Sequence, residues 1–273
     1  MSKKPQEAAA AALMPMFIIV LTPKGGVGKS LLAALIAHFL SDLSRKLRAV
    51  SIDSRHPTRR LLERIGVPVE IADLPTGEAL RKDPHAVLRA FAPVQTALSQ
   101  GAGSADILVD IGSPAARPFL SYAIHSDLRE RVKDAGYRAV VVVPVTAQPE
   151  SIALGADTVM YAKQIFEDDS TVIVVANERD GALPSMNDET MVRLLAHADA
   201  TFVMPTLPPH WRKIDAASVL PGELPEMSLE EIARIVGESD DMVRVVRGEL
   251  RMWSRAMHEA LRQGLPGINP DKP

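Results

Sequence analysis

The chain of 273 residues contains no cysteine. Disulfides, thiolate zinc sites, iron–sulfur clusters and cysteine nucleophiles are therefore excluded. That composition suits a reducing, cytoplasmic setting. Aromatic residues are scarce, with two Trp, three Tyr and six Phe. A stacked aromatic platform for single-stranded nucleic acid fits such a chain poorly. Long apolar runs are lacking too. Residues 8–20 form the longest, which falls short of the ~20 residues of a membrane span and is interrupted by Pro15. Lys3 and Lys4 ahead of it imitate a secretory leader, but no small-x-small cleavage site follows. Residues 1–15 read instead as a flexible extension. Neither sign of charge dominates: 31 basic against 34 acidic residues give a net charge of −3. This excludes a chain that is basic throughout but permits a local basic surface.

The apolar content of 47% is that of a globular protein. At ~150 residues per domain, the length fits one large domain or two small ones. Short apolar runs at 16–21, 48–53, 69–72, 106–110, 138–143, 171–176 and 201–204 predict strands. Between them, residues 31–43, 83–99, 117–134, 149–166 and 187–198 have helical patterns, with Leu32, Leu35, Ile36 and Phe39 marking the buried face of the first. Continuous apolar strands alternating with helices predict an α/β fold: a mostly parallel, twisted sheet flanked by helices. After Pro205, proline punctuation gives way to helices alone. The expected organisation is a main domain over 16–222, a C-terminal helical appendage over 223–263 and a flexible tail over 264–273.

The segment Thr22-Pro23-Lys24-Gly25-Gly26-Val27-Gly28-Lys29-Ser30 falls between the first strand and the first helix. That is the setting a phosphate-binding loop requires. Glycines let backbone N–H groups turn inward around phosphate oxygens, and the helix start adds its positive dipole end. Lys29 reaches the outer phosphates in such a loop, and Ser30 ligates Mg²⁺.

The ordinary pattern of this loop places Gly where Pro23 stands, and here a second lysine, Lys24, opens Lys-Gly-Gly-Val-Gly-Lys-Ser. In this the loop resembles the deviant Walker-A loop of the ParA/MinD family of P-loop ATPases. The resemblance covers roughly residues 16–220 and implies several roles. Lys24 is the signature lysine, crossing an ATP-bound homodimer to the partner's phosphates. Residues Lys24 to Leu31 hold ATP, and Lys24, Lys29 and Asp53 serve hydrolysis. Ser30, Asp53 and Asp110 hold Mg²⁺, with Asp110 closing the Walker-B strand and Gly112, Ser113 and Pro114 forming the second switch. Asn177 and the segment from Pro205 to His210 surround the base. A partner protein stimulates or reads the switch.

One position departs from the family. Its second strand runs on as Asp-x-Asp-Pro-Gln, whose second Asp orients the attacking water. This chain has Asp53-Ser54-Arg55-His56-Pro57. Arginine can neutralise phosphate charge but cannot orient water as a carboxylate does. With Asp53 aligned as the first Asp, because apolar residues run up to it, hydrolysis that is slow, absent or served by another group is the expectation. A shift by two would instead make Ser51 the first position and Asp53 the second. The neighbouring Arg59, Arg60 and Arg64 fit either a solvated face or an anion-binding patch.

Towards the C-terminus, Ser228 and Glu231 form a capping box. Ala233, Gly237 and Val243 have the spacing of a helix-turn-helix, yet Glu238, Asp240 and Asp241 set negative charge at the start of its second helix, which opposes base reading. A packed helical hairpin satisfies the same spacing. Beyond it, Arg244, Arg247, Arg251, Arg255 and Arg262 recur along one helix face. Residues 242–262 carry these five arginines against two glutamates. The expectation is an ATP-dependent switch of the ParA type that partitions or positions DNA, with nonspecific DNA binding through Arg244, Arg247, Arg251 and Arg255. A nucleotide-gated accessory protein for plasmid stability or conjugal transfer, with little turnover, is one alternative. A membrane-associated positioning ATPase is another, less favoured because membrane anchors sit at the extreme end of a chain and lean on lysine.

Overall fold

Apolar strands rich in β-branched residues bury both faces only in a sheet covered on both sides. The computed structural model has that architecture. It describes residues 14–268 apart from 54, 55, 76, 77, 84, 102, 186, 217, 218, 221, 224 and 225. The strands are β1 (Met16–Val20), β2 (Leu47–Ile52), β3 (Val69–Ile71), β4 (Asp106–Ile111), β5 (Arg138–Val145), β6 (Ser170–Asn177) and β7 (Ala200–Met204). They form one sheet in the order β3-β2-β4-β1-β5-β6-β7, and every pairing is parallel.

Strand alternation divides the core into two layers. Phe17, Ile19 and Leu21 point into a cluster with Phe91, Phe119, Val159 and Leu194. The helices of that layer are α5 (Ala92–Gly101), α6 (Ser113–His125), α7 (Leu128–Asp134), α8 (Pro149–Phe166) and α9 (Glu189–Leu195), preceded by the short α3 (Glu78–Lys82) and α4 (Ala86–Arg89). Met16, Ile18 and Val20 point the other way, into a cluster with Leu32, Ile36, Phe39, Leu62, Trp253 and Met257. There α1 (Lys29–Asp42), α2 (Pro57–Arg64) and the second half of the long C-terminal α12 (Asp240–Gly264) cover the sheet. A third, smaller cluster joins α10 (Trp211–Ala216), α11 (Leu229–Val236) and the first half of α12 through Ile214, Ile232, Val236, Val243, Val246 and Leu250.

Two expected helices are each split. The one expected over 83–99 divides into α4 and α5, with Ala90 and Phe91 between them. Phe91 is fully buried against Phe119 and Tyr122. The one expected over 117–134 breaks at Ser126-Asp127, where Asp127 adopts a left-handed φ of 49°. It also starts earlier, at Ser113, because Pro114 fits a first helical turn. The capping box forms as expected, and Gly237 ends α11 with φ 66°.

Asp106 anchors the start of β4 to its neighbours. Only 2% exposed, its carboxylate accepts from the Met16 N–H at 2.8 Å and from the Arg45 guanidinium at 2.5 and 2.6 Å. Removing one partner of a buried pair strands the other without compensation. Asp106→Ala is expected to lower stability by about 3 kcal/mol, read from the urea midpoint at unchanged slope. A loss below about 1 kcal/mol would count against this anchoring role.

Candidate functional site

The parallel sheet directs the carboxyl ends of β1, β2, β4 and β6 to one edge, where ligands of open α/β sheets bind. Residues 21–28 leave the central strand β1 at that edge and turn directly into α1. Gly26 and Gly28 have φ of +73° and +88°, conformations that side-chain-bearing residues rarely adopt. At Gly28 a Cβ would also come within 2.7 Å of Asn177 Nδ2 and 3.1 Å of Met204 Cε. The first turn of α1 has no acidic residue and its N-cap glycine no capping side chain. Its leading N–H groups thus face the loop at the positive end of the helix dipole.

The two lysines of the loop take opposite courses. Lys29 is folded inward and 7% exposed, and its ammonium donates to the Lys24 carbonyl and to Ser113 Oγ, each at 2.7 Å. Burial lowers its pKa to about 8, against the raising influence of Asp110 and Asp53. Lys24 turns outward and forms an ion pair with Glu150 in the first turn of α8. Glu150 is largely exposed, so this pair holds Lys24 only loosely.

Asp110 ends β4 beneath the loop and is 2% exposed. One carboxylate oxygen accepts from the Thr58 hydroxyl. The other is buried with no hydrogen-bond partner among the described residues. Burial pushes the carboxyl above its ordinary range, and hydrogen bonds from Thr58 and Ser30 and the charge of Lys29 pull against it. Asp53, one residue beyond β2, lies against Gly112, where a Cβ would overlap its carboxylate. A serine hydroxyl, an orphaned carboxylate oxygen and a second carboxylate make an oxygen set suited to a hard divalent cation such as Mg²⁺.

Asn177 closes the loop from the other side. Its amide donates to the Val27 carbonyl at 3.0 Å and accepts from the Arg179 N–H at 3.1 Å. The Arg179 guanidinium donates to the Gly26 carbonyl. Gly28, Leu31, Asn177 and Arg179 line a cavity of about 490 Å³ together with the segment 206–209 and Trp211. Pro205 is outside that wall, and its carbonyl accepts from Trp253 Nε1 at 3.0 Å.

The structure thus brings residues Lys24 to Leu31, Asp53, Asp110 and Asn177 to one edge. Arg55 lies outside the described residues. Arg244, Arg251 and Arg255 are exposed on α12 and Arg247 is half-buried there. Arg251 and Arg255 line a different cavity, between α12 and α1. Arg59 and Arg64 are paired with Glu63 and Glu223 at 2.6 and 2.7 Å. Thr58, Glu150 and Arg179 were not singled out by sequence reasoning. Each meets its partner across a long stretch of chain, and none belongs to a local motif.

No family model and no curated protein matches the chain. Among solved structures, it is similar to the MinD cell division protein of Aquifex aeolicus at 16% identity, covering 86% of this chain and 98% of that one with a TM-score of 0.46. A ParA family ATPase from Chlorobium tepidum TLS is similar at 14% identity, covering 89% and 98%, with a TM-score of 0.48. A plasmid partition protein from Borrelia burgdorferi is similar at 15% identity, covering 78% and 100%, with a TM-score of 0.40. The chemistry of the site is carried by the residues of the loop and not by these likenesses.

Lys29 generates a pH prediction. With a pKa near 8 it is mostly neutral at pH 8.5, and a bound phosphate chain favours its charged form. Nucleoside triphosphate binding at pH 8.5, with divalent cations chelated, is expected to take up about 0.7 proton. Affinity should then fall as pH rises above 8. Calorimetry in buffers of different ionisation enthalpy reads the uptake directly, and zero exchange at pH 8.5 would contradict it.

Proposed function

We propose that the chain is an ATP-dependent dimerising switch of the ParA type that acts in partitioning or positioning DNA. The carrying observation is the divergence of two lysines in one loop. Lys29 is buried where phosphates bind, whereas Lys24 stands outside the cradle on an exposed partner that it can exchange. An outward lysine at this position matches the signature lysine of the family that the loop resembles.

In this reading ATP occupies the 24–31 loop with its base towards Asn177. Mg²⁺ is held by Ser30, Asp53 and Asp110 and neutralises charge on the phosphates. Lys29 balances the outer phosphates, and Ser113 orients Lys29. Thr58 fixes the Asp110 carboxylate. Lys24 leaves Glu150 to reach the second subunit of a homodimer. Residues 16–222 form the ATPase body, and the 223–263 segment presents Arg244, Arg247, Arg251 and Arg255 to DNA phosphates, with a partner protein reading the state. Among the described residues, no helix is long and apolar enough to cross a membrane.

Arg55 supports a second, narrower reading of the same switch. With arginine in place of the water-orienting carboxylate, the chain gates a partner by binding ATP and hydrolyses it slowly or not at all. Steady-state phosphate release at high protein concentration separates the two readings.

Lys24→Ala is expected to abolish ATP-dependent dimerisation in sedimentation velocity while nucleotide affinity stays within about tenfold. Dimerisation that survives would remove the signature-lysine assignment. DNA binding should appear with ATP and not ADP, with a salt slope of roughly −3.6 for four phosphate contacts per chain. A flat salt dependence would remove the arginine surface from the mechanism.

A further inference from the structure

His38 and Asp42 lie one turn apart on α1 and leave the same helix face. The second half of α12 brings His258 over them. Asp42 Oδ2 is 3.2 Å from His38 Nδ1 and 3.6 Å from His258 Nε2. One ligand atom from each of the three residues lies within 4.8 Å of the other two. Ligands on a tetrahedral zinc ion, each about 2 Å from it, stand roughly 3.3 Å apart. A small contraction of side chains therefore brings this trio onto an ion.

Further observations indicate that the trio is built rather than accidental. His38 Nδ1 is buried and forms no hydrogen bond among the described residues, although the carboxylate is near. The same ring lies over Gly222, where a Cβ would stand 2.9 Å from Cε1 and 3.1 Å from Nδ1. His258 is set edge-on against Phe39, with ring centroids 5.4 Å apart and planes at 66°, which fixes the direction of its nitrogens. Burial above all holds His258 below its ordinary pKa, with His38 and Arg262 adding to this and Asp42 opposing it. A neutral imidazole is the form that binds metal.

All three residues line a cavity of about 990 Å³. Arg64 shares the cavity but is bonded to Glu223 at 2.7 Å. Two imidazoles and one carboxylate suit zinc and its first-row neighbours, whereas Mg²⁺ and Ca²⁺ take all-oxygen sets. We propose that His38, Asp42 and His258 form a site for a divalent first-row transition cation, zinc(II) foremost, that staples α12 to α1. The fourth position opens to the cavity, for water or a donor from another molecule. Because α1 begins at the glycine loop, such an ion would join the arginine-bearing helix to the helix that receives phosphate. The site stands independently of the nucleotide reading.

Zinc(II) titration of the full chain, with Mg²⁺ in excess to fill oxygen-only sites, tests this. One zinc per chain is expected, together with a rise in Tm of about 5 °C at a hundredfold excess over Kd. Asp42→Asn and His258→Gln should each weaken zinc binding at least ~10-fold and remove the rise, with ATP affinity unchanged. Cobalt(II) in place of zinc should give the intense visible absorption of a four-coordinate ion in the wild-type chain only. Variants that bind zinc as tightly as wild type, or a wild-type chain that binds none at millimolar zinc, would overturn the site. Asp42 is half-exposed, so Asp42→Asn decides the matter if His258→Gln fails to fold.

Discussion

The carboxyl edge of the sheet depends on one buried ammonium group. Lys29 lies where desolvation opposes its charge, and the structure offsets that with a backbone carbonyl, a serine hydroxyl and two nearby carboxylates. Asp110 is the converse case, a carboxylate buried beyond the help of its partners and with one oxygen unpaired among the described residues. Each group is strained by burial in the direction that a phosphate or a cation would relieve. A structure that served stability alone would have no reason to keep both. The glycines, the open first turn of α1 and Asn177 on the Val27 carbonyl all serve to keep these groups in place.

Much of the fold was legible because it is local. Strands such as Met16–Val20 and Arg138–Val145 are apolar at nearly every position, and only a sheet covered on both faces accommodates that. The glycine loop was legible because its chemistry lies in consecutive residues. The helix breaks at Phe91 and Asp127 were not, since helical patterning runs on through both and tertiary packing decides them. The contacts of Thr58, Glu150 and Arg179 were hidden for another reason. Their partners are 52, 126 and 153 residues away, and periodicity carries no information over such distances. The i,i+4 spacing of His38 and Asp42 is local, but nothing local places His258 above it.

The paired arginines of α2 show how structure trims a sequence expectation. Arg59, Arg60 and Arg64 suggest a basic patch when read in line. The fold sets Glu63 against Arg59 and brings Glu223 from far along the chain to Arg64. Charge available to an external anion is thereby reduced at this face. On α12, Arg244, Arg251 and Arg255 are exposed, as the arginines of α2 are.

That stripe is not on a detached appendage. The first half of α12 completes a small helical core with Ile214 and Ile232, whereas the second half inserts Trp253, Met257 and Leu261 into the main core beside α1. One rigid helix of 25 residues therefore belongs to both. Trp253 also holds the Pro205 carbonyl at the start of the segment that walls the 490 Å³ cavity. A shift of that wall must move Trp253 or break its hydrogen bond, and close packing leaves little room for a compromise. The wall of that cavity and the arginine-bearing helix thus share a single physical joint.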